Sequence, residues 1–293
     1  MRHAIALTAV ALSIVGPIGV VAQSQGDVET ILARVAERLE EYYKRVQNVV
    51  CIEKTVVQPI ASQVGPDGLA HTTESELRIE PDAADGDGGG EPQVVRVIRK
   101  VNGRPPRDKD KKDRARCLEP NPLSTEPLSF LLPAHRSENT FTYKGRGKGK
   151  DRDALLIDFK SVDGGARLEL LESSKGIDGC YEARGSIPTQ GRVWVDANSF
   201  DVLRIEERLT GPVDYHVSDS LRRRRNLGDQ LVIERLDVAI RYKLVTFSNP
   251  DEAMLLPASI SDVRLYRGGL QSMRVSQTFS DYQRFVTGAR LVK

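Results

Sequence analysis

From Thr140 to the end of the chain, one segment after another alternates apolar and polar residues with a period of two. Turn signals, and no clear helical pattern, lie between them. This constrains the fold more than any other feature. Parallel neighbours need crossovers of a dozen or more residues. The links here are short: Asp163-Gly-Gly, Asp196-Ala-Asn-Ser, Ser248-Asn-Pro-Asp and Gly268-Gly269. The last is a two-residue hairpin signal. An antiparallel sheet is therefore predicted. Counting three earlier segments, eleven strands are expected. They are Val49–Gln58, Thr72–Glu80, Gln93–Val101, Thr140–Lys144, Ala154–Lys160, Ala166–Glu172, Gly191–Asp196, Val202–Leu209, Leu231–Phe247, Ala258–Arg267 and Leu270–Phe285.

In Leu231–Phe247, residues Leu236, Val238, Ile240, Tyr242 and Leu244 alternate with Asp237, Arg241 and Lys243. One face is apolar and the other wet. Such a sheet must cover its apolar face by curling or with helices. Helical cover is scarce. Asp27–Asn48 reads as an amphipathic helix with a stripe of Val28, Ile31, Leu32, Val35, Leu39, Tyr42 and Val46, and with Asp27 as N-cap. Ser124–Pro133 reads as a short apolar helical connector capped by Thr125 and stopped by Pro133. The predicted fold is mainly β, of the α+β class: a strongly curved antiparallel sheet or incomplete barrel with these helices in its concave side.

Residues 81–92, rich in Gly, Asp and Pro, read as a mobile hairpin loop that lacks the ligand spacing of a calcium loop. Residues 104–116 carry seven basic and three acidic side chains and read as a solvated linker. Residues 144–152 and Arg222–Arg225 read as solvated loops in the same way. Formal net charge is only +2 over 293 residues. No concentrated basic face points to nucleic acid.

Met1–Ala22 has the form of a secretory signal peptide. Arg2 and His3 precede an apolar run, Gly16-Pro17 breaks it, and Val20 and Ala22 suit the −3 and −1 positions. The expectation is a periplasmic or secreted protein, with 23–293 as a single domain. An oxidising compartment favours pairing two of the three cysteines. Three pairings are open. Cys117 with Cys180 is expected, because both lie in irregular segments while Cys51 sits inside a strand.

Enzyme templates fail in turn. His71, His135 and His216 are isolated from metal-binding spacings, and no nucleophile elbow is present. A meeting of Cys51 with His71 or His135 is left to the fold. Trp194, on the opposite strand face from Val193 and Val195, is read as core in preference to pocket lining. No enzyme activity, metal or cofactor is expected.

Gly191–Asp196, GRVWVD, followed by Phe200, Val202, Leu203, Arg204 and Ile205, resembles a hairpin of the lipoprotein-carrier-like (LolA/LolB-like) superfamily. Phe279–Phe285, FSDYQRF, resembles its last strand, and Thr125–Pro133 resembles a segment of exported bacterial proteins of this type. The resemblance implies an incomplete β-barrel wrapped over a helix, enclosing an apolar cavity for acyl chains. It implies a lipid or a lipidated protein as partner, with peripheral or transient membrane contact at most. The chain departs from the carriers in its length and in its basic and glycine-rich insertions, which leaves the cargo open. The cavity is expected where Leu236, Val238, Ile240, Tyr242 and Leu244 meet Ile31, Val35 and Leu39. If these surfaces close fully they are a core, and the protein is an envelope interaction module instead. N-terminal sequencing of the exported protein is expected to start at Gln23; a start at Met1 refutes the processing signal.

Overall fold

The computed structural model describes residues 18–47, 49–80, 93–108, 126–162, 168–172, 181–185, 187–228, 230–248 and 251–284. Among them α1 (Ile18–Val46) leads into β1 (Val49–Pro59), β2 (His71–Glu80) and β3 (Gln93–Val101). A 3-10 turn at Glu126–Leu131 precedes β4 (Asn139–Gly149), β5 (Arg152–Ser161), β6 (Leu168–Glu172) and β7 (Tyr181–Arg184). Then come β8 (Thr189–Asp196), β9 (Val202–Leu209), β10 (Val213–Val217) and α2 (Asp219–Arg225). β11 (Leu231–Ser248), β12 (Asp251–Arg267) and β13 (Met273–Arg284) close the described chain.

The strands form one sheet, with ten of them in the order β3-β2-β1-β13-β12-β11-β9-β8-β5-β4. Every neighbouring pair on this path is antiparallel. The end strands β3 and β4 do not pair with each other, so the sheet is curved and unclosed. The shape follows from the packing. Ten flat strands would span roughly 43 Å, about four helix diameters. Yet one apolar cluster joins Leu32 and Val35 of α1 to Ile79 of β2, Cys51 of β1, Phe279 of β13 and Ile260 of β12. The same cluster holds Ile240 of β11, Ile205 of β9, Ile157 of β5 and Phe141 of β4. A single helix reaches both ends of the path only because the sheet wraps it.

Val28, Ile31, Leu32, Val35, Leu39 and Val46 are buried, so the stripe read from the sequence is the packed face. Each fully buried aliphatic side chain contributes about 1.5–3 kcal/mol. The helix begins at Ile18, so Asp27 stands inside it and is not its N-cap. The connector before β4 is a 3-10 turn that inserts Leu128 and Leu131 into the core. Thr125 lies outside the described residues.

Among the described residues thirteen strands replace the expected eleven. The two added strands, β7 and β10, are four and five residues long. β10 also runs parallel to β6, which departs from the all-antiparallel expectation. Residues 144–152 are not a loop but a hairpin, because β4 continues through them against β5. A bulge between Tyr143 and Arg146 absorbs Gly145 at φ 93°, and glycine at 147 leaves room for the Leu156 side chain. Arg222–Arg225 are likewise not a loop. They form the last turn of α2, where cations favour the helix dipole, and Arg224 and Arg225 both engage Glu172. Gly268-Gly269 opens a five-residue link instead of a two-residue hairpin, since β12 ends at Arg267 and β13 begins at Met273. Residues 81–92 and 109–116 lie outside the described residues.

Gly191 lies in β8 beneath the ring of Phe159. A Cβ there would stand 2.0 Å from the Glu206 carbonyl oxygen and 2.6 Å from Phe159 Cζ. Gly191→Ala is therefore expected to destabilise the protein by about 1–3 kcal/mol, read as a lower urea midpoint. An unchanged midpoint refutes this packing.

Candidate functional site

Of the eight residues expected to line a cavity, Leu39, Tyr242 and Leu244 border a small cavity, and Ile31, Val35, Val238 and Ile240 pack in the main core. Ile31, Val35 and Leu39 of α1 share the main core with Val238, Ile240 and Tyr242 of β11. Leu236 does not join them; it packs in a second cluster with Leu231, Ile233 and Tyr215. Leu244 is 52 % exposed and so is not part of the interior.

The β-ladder explains Leu244. Ile240 pairs with Ile260 and Arg241 with Ser259, but Tyr242 pairs with Pro257. Ala258 is thus an extra residue on β12, which makes a β-bulge. Pro257 has no N–H to give a ladder, so it suits such a break. A one-residue slip turns a strand over relative to its neighbour. Before the bulge Val238 and Ile240 face α1; after it Val245 and Phe247 do. Lys243 crosses to this side with its Nζ donating to the Phe279 carbonyl at 2.9 Å, and Leu244 turns outward beside Leu255.

At the bulge the helix and sheet do not close fully. A partly open cavity of about 60 Å³ lies between Leu39 and Tyr42 of α1, Leu128, Val202, and Tyr242 and Leu255 of the sheet. Leu244, Arg38 and Arg45 also border it. Arg38 Nε donates to Asp201 Oδ1 at 3.3 Å, and Arg45 donates to the Ala253 carbonyl at 2.9 Å and to Glu252 Oε2 at 3.3 Å. The arginines thus tie the rim of α1 to the sheet and to the β8–β9 turn.

The hydroxyls of Tyr42 and Tyr242 are buried, and among the described residues neither has a hydrogen-bond partner. Burial pushes the ionisation of both well above the ordinary tyrosine value, so they stand as neutral donors. Tyr282 differs, since its hydroxyl donates to the Pro257 carbonyl at 2.6 Å. Cys51 is buried and free, and desolvation pushes its thiol up to about 12. The strand register carries His71 away from it: Cys51 pairs with Leu77, six residues along β2 from His71, or roughly 20 Å. His135 is exposed beside Glu138. Cys117 and Cys180 lie outside the described residues, and so does their pairing. Among the described residues no cluster of three His, Cys, Asp or Glu side chains could hold a metal ion.

The sequence reading missed a buried polar group beside the apolar interior. Glu53, on the same strand face as Cys51, is 1 % exposed. It accepts from Arg96 Nε at 2.6 Å, Arg96 Nη2 at 3.2 Å and Gln277 Nε2 at 2.6 Å. Asp262 accepts from Arg264 in the same bidentate way. A buried carboxylate persists only when paired and hydrogen-bonded. The signal was the shared parity of Cys51, Glu53 and Thr55. A larger recess of 740 Å³ lies on the other face of the sheet, lined by Lys144, Asp158, Lys160, Arg192, Trp194 and Glu206. Trp194 is thus at a recess and not enclosed in the core. Guanidinium groups of Arg204 and Arg192 lie 4.7 and 5.9 Å from its ring centre. Its polar lining distinguishes it from the apolar cavity that was expected.

No family model matches this chain, and no curated protein matches it. Solved structures do. An outer membrane lipoprotein-sorting protein domain from Vibrio parahaemolyticus aligns at TM-score 0.43 and 8 % identity, covering 89 % of this chain and 95 % of that one. A DUF1329 family protein from Desulfovibrio piger aligns at TM-score 0.43 and 10 % identity, over 89 % and 95 %. A LolA superfamily protein from Nitrosomonas europaea aligns at TM-score 0.31 and 11 % identity, over 88 % and 97 %. These alignments run nearly end to end, but the superpositions are too loose to carry a function across.

A hydroxyl without a partner is a desolvated group with nothing gained in return. Tyr42→Phe and Tyr242→Phe are therefore expected to leave the thermal midpoint of the unliganded protein unchanged or raise it. Tyr282→Phe should lower stability by about 1 kcal/mol, because it orphans the Pro257 carbonyl. Equal losses in all three refute the assignment of free hydroxyls.

Proposed function

We propose that this chain is an exported, non-enzymatic binding or carrier protein for a lipid or other apolar ligand of the cell envelope. The observation that carries the reading is the break at the Ala258 bulge beside Tyr242, the place where helix and sheet fail to close. Leu39, Leu128, Val202, Met254 and Leu255 line the break beside Arg38, Glu41, Arg45 and Asp201, and half-exposed Leu244 borders it. Apolar surface there favours an apolar guest. At about 60 Å³ it admits the end of a ligand and not a whole acyl chain. A longer chain enters only if the rim of α1 moves, and the rim is held by exchangeable ion pairs of Arg38 and Arg45. The export reading rests on the Met1–Ala22 pattern. Among the described residues no helix is long and apolar enough to cross a membrane, in keeping with peripheral contact.

One observation favours the alternative, an envelope protein-interaction module. Along α1 away from the bulge the interior is filled, with Val28, Leu32 and Val35 fully buried against the sheet. The two readings part in a binding measurement with a fluorescent fatty acid. The wild type should bind it, and Leu244→Glu should weaken binding roughly tenfold or more, since a leucine contact contributes about 1.5–3 kcal/mol. The exposed position keeps the fold intact, which the circular dichroism melt checks. Full binding by the variant removes the cleft from the site, and no binding by the wild type leaves the interaction module standing.

A further inference from the structure

The outer face of the sheet, turned away from α1, carries a charge pattern that the cavity leaves unexplained. Three rows of side chains lie on it in register. Leu156, Trp194, Arg204 and Arg241 form one row, and Asp158, Arg192, Glu206 and Ala239 the next. Lys160, Gln190, Arg208 and Asp237 form the third. Lys144 and Arg235 flank these rows at the 740 Å³ recess. In and beside the rows, seven cations thus stand against three carboxylates. Each carboxylate already has an arginine: Asp158 pairs with Arg192, Glu206 with Arg204 and Asp237 with Arg235. Lys144, Lys160, Arg208 and Arg241 are left over, and among the described residues none of the four has an ion-pair partner. Arg241 even stands directly opposite Arg204, a cross-strand placement that is destabilising for like charges. The four lie on β4, β5, β9 and β11, and the outermost are roughly 19 Å apart across the strands. No single small anion reaches them all. A surface that carries many anions does.

We propose that this outer face docks the protein on an anionic lipid bilayer, with the mouth of the cavity beside α1 at the edge of the contact. The proposal rests on the apolar-ligand reading above and adds the surface across which the ligand passes. The neighbourhood supports it. Leu244 and Leu255 border the cavity and are cross-strand partners. Leu255 belongs to a small cluster with Leu203 and Ala154, against which Leu156 and Trp194 pack. Trp194 lies beside the guanidinium groups of Arg204 and Arg192, and Arg204 stands opposite Arg241. Side chains therefore run without a break from the cavity mouth to the unpaired cations. Each has a part in such a contact. Half-exposed Leu244 supplies apolar surface. Trp194 supplies an amphipathic ring of the kind that settles at headgroup level. The four cations supply attraction to lipid phosphates. An apolar ligand that enters at this edge goes from bilayer to cavity with little water to cross. An acidic protein would satisfy the cations, but nothing in it calls for a cavity mouth beside them.

The test is sedimentation of the full exported chain with sucrose-loaded vesicles, either phosphatidylcholine alone or phosphatidylcholine mixed with phosphatidylglycerol. The wild type should partition onto the mixed vesicles roughly tenfold or more above the neutral ones, and the preference should fall in high salt. Arg208→Gln/Arg241→Gln removes two cations that hold no partner, so the fold survives, which a thermal melt checks. Each Lys or Arg at an anionic surface changes partitioning roughly fivefold, so this variant should lose about tenfold or more on the mixed vesicles. Arg34→Gln/Lys44→Gln removes the same charge from the exposed side of α1, away from the outer face, and should lose less than about threefold. Equal losses in the two variants overturn the docking face, because net charge then suffices. Equal partitioning of the wild type onto both vesicle types, or onto neither, also overturns it. Binding of a fluorescent fatty acid by the same preparations keeps the two readings apart. A wild type that binds the fatty acid and no vesicle loses the docking face and keeps the apolar-ligand reading. A wild type that binds the mixed vesicles and no fatty acid keeps the face and loses the ligand.

Discussion

The structure depends on one mismatch of area. A long sheet presents a largely apolar face, and among the described residues one long helix is available to cover it. Hydrophobic burial scales with the area removed from water, so the sheet reduces its exposed face by curling round the helix. One register row shows the outcome. Tyr143, Ile157, Val193, Ile205, Ile240 and Ile260 lie side by side across β4, β5, β8, β9, β11 and β12. The row then continues as Gln277, Thr55 and Thr73 across β13, β1 and β2. The apolar half lies under the helix. Where the row turns polar, Gln277 donates to Glu53, which Arg96 clamps.

This division places the candidate site. The polar end is closed by charge-assisted hydrogen bonds, whose geometry is specific and costly to break. The apolar flank of the helix is closed by packing, and packing fails at the Ala258 bulge. There β11 reverses the faces it presents, Lys243 folds back to the Phe279 carbonyl, and Tyr242 is left between the two sides of the sheet. A bulge bends its strand and re-aims side chains, and it is a common neighbour of functional sites. The same irregularity that spoils the seal between helix and sheet aims a tyrosine into the gap.

Much of the architecture could be read from the residues in order. The alternation in β9 and β11, the stripe on α1 and the short links name the elements, and their antiparallel arrangement follows from link length. The misreadings have separate causes. β7 has only four residues, and the short alternation of β10 was passed over. The glycines at 145, 147 and 149 look like a loop to composition, but they fit a bulge and a close approach to Leu156 and Leu203. Leu244 continues an unbroken alternation, yet it points outward.

The sequence by itself determined the strands, the amphipathic helix and the need for a curved sheet, because these follow from local period and from the balance of apolar surface. Only the tertiary structure decided which hydroxyls lack partners, where the seal between helix and sheet fails, and which carboxylates are buried. Those facts depend on register between strands far apart in the chain. A single extra residue at Ala258 changes which face Lys243 and Leu244 present, while the alternation around them reads the same.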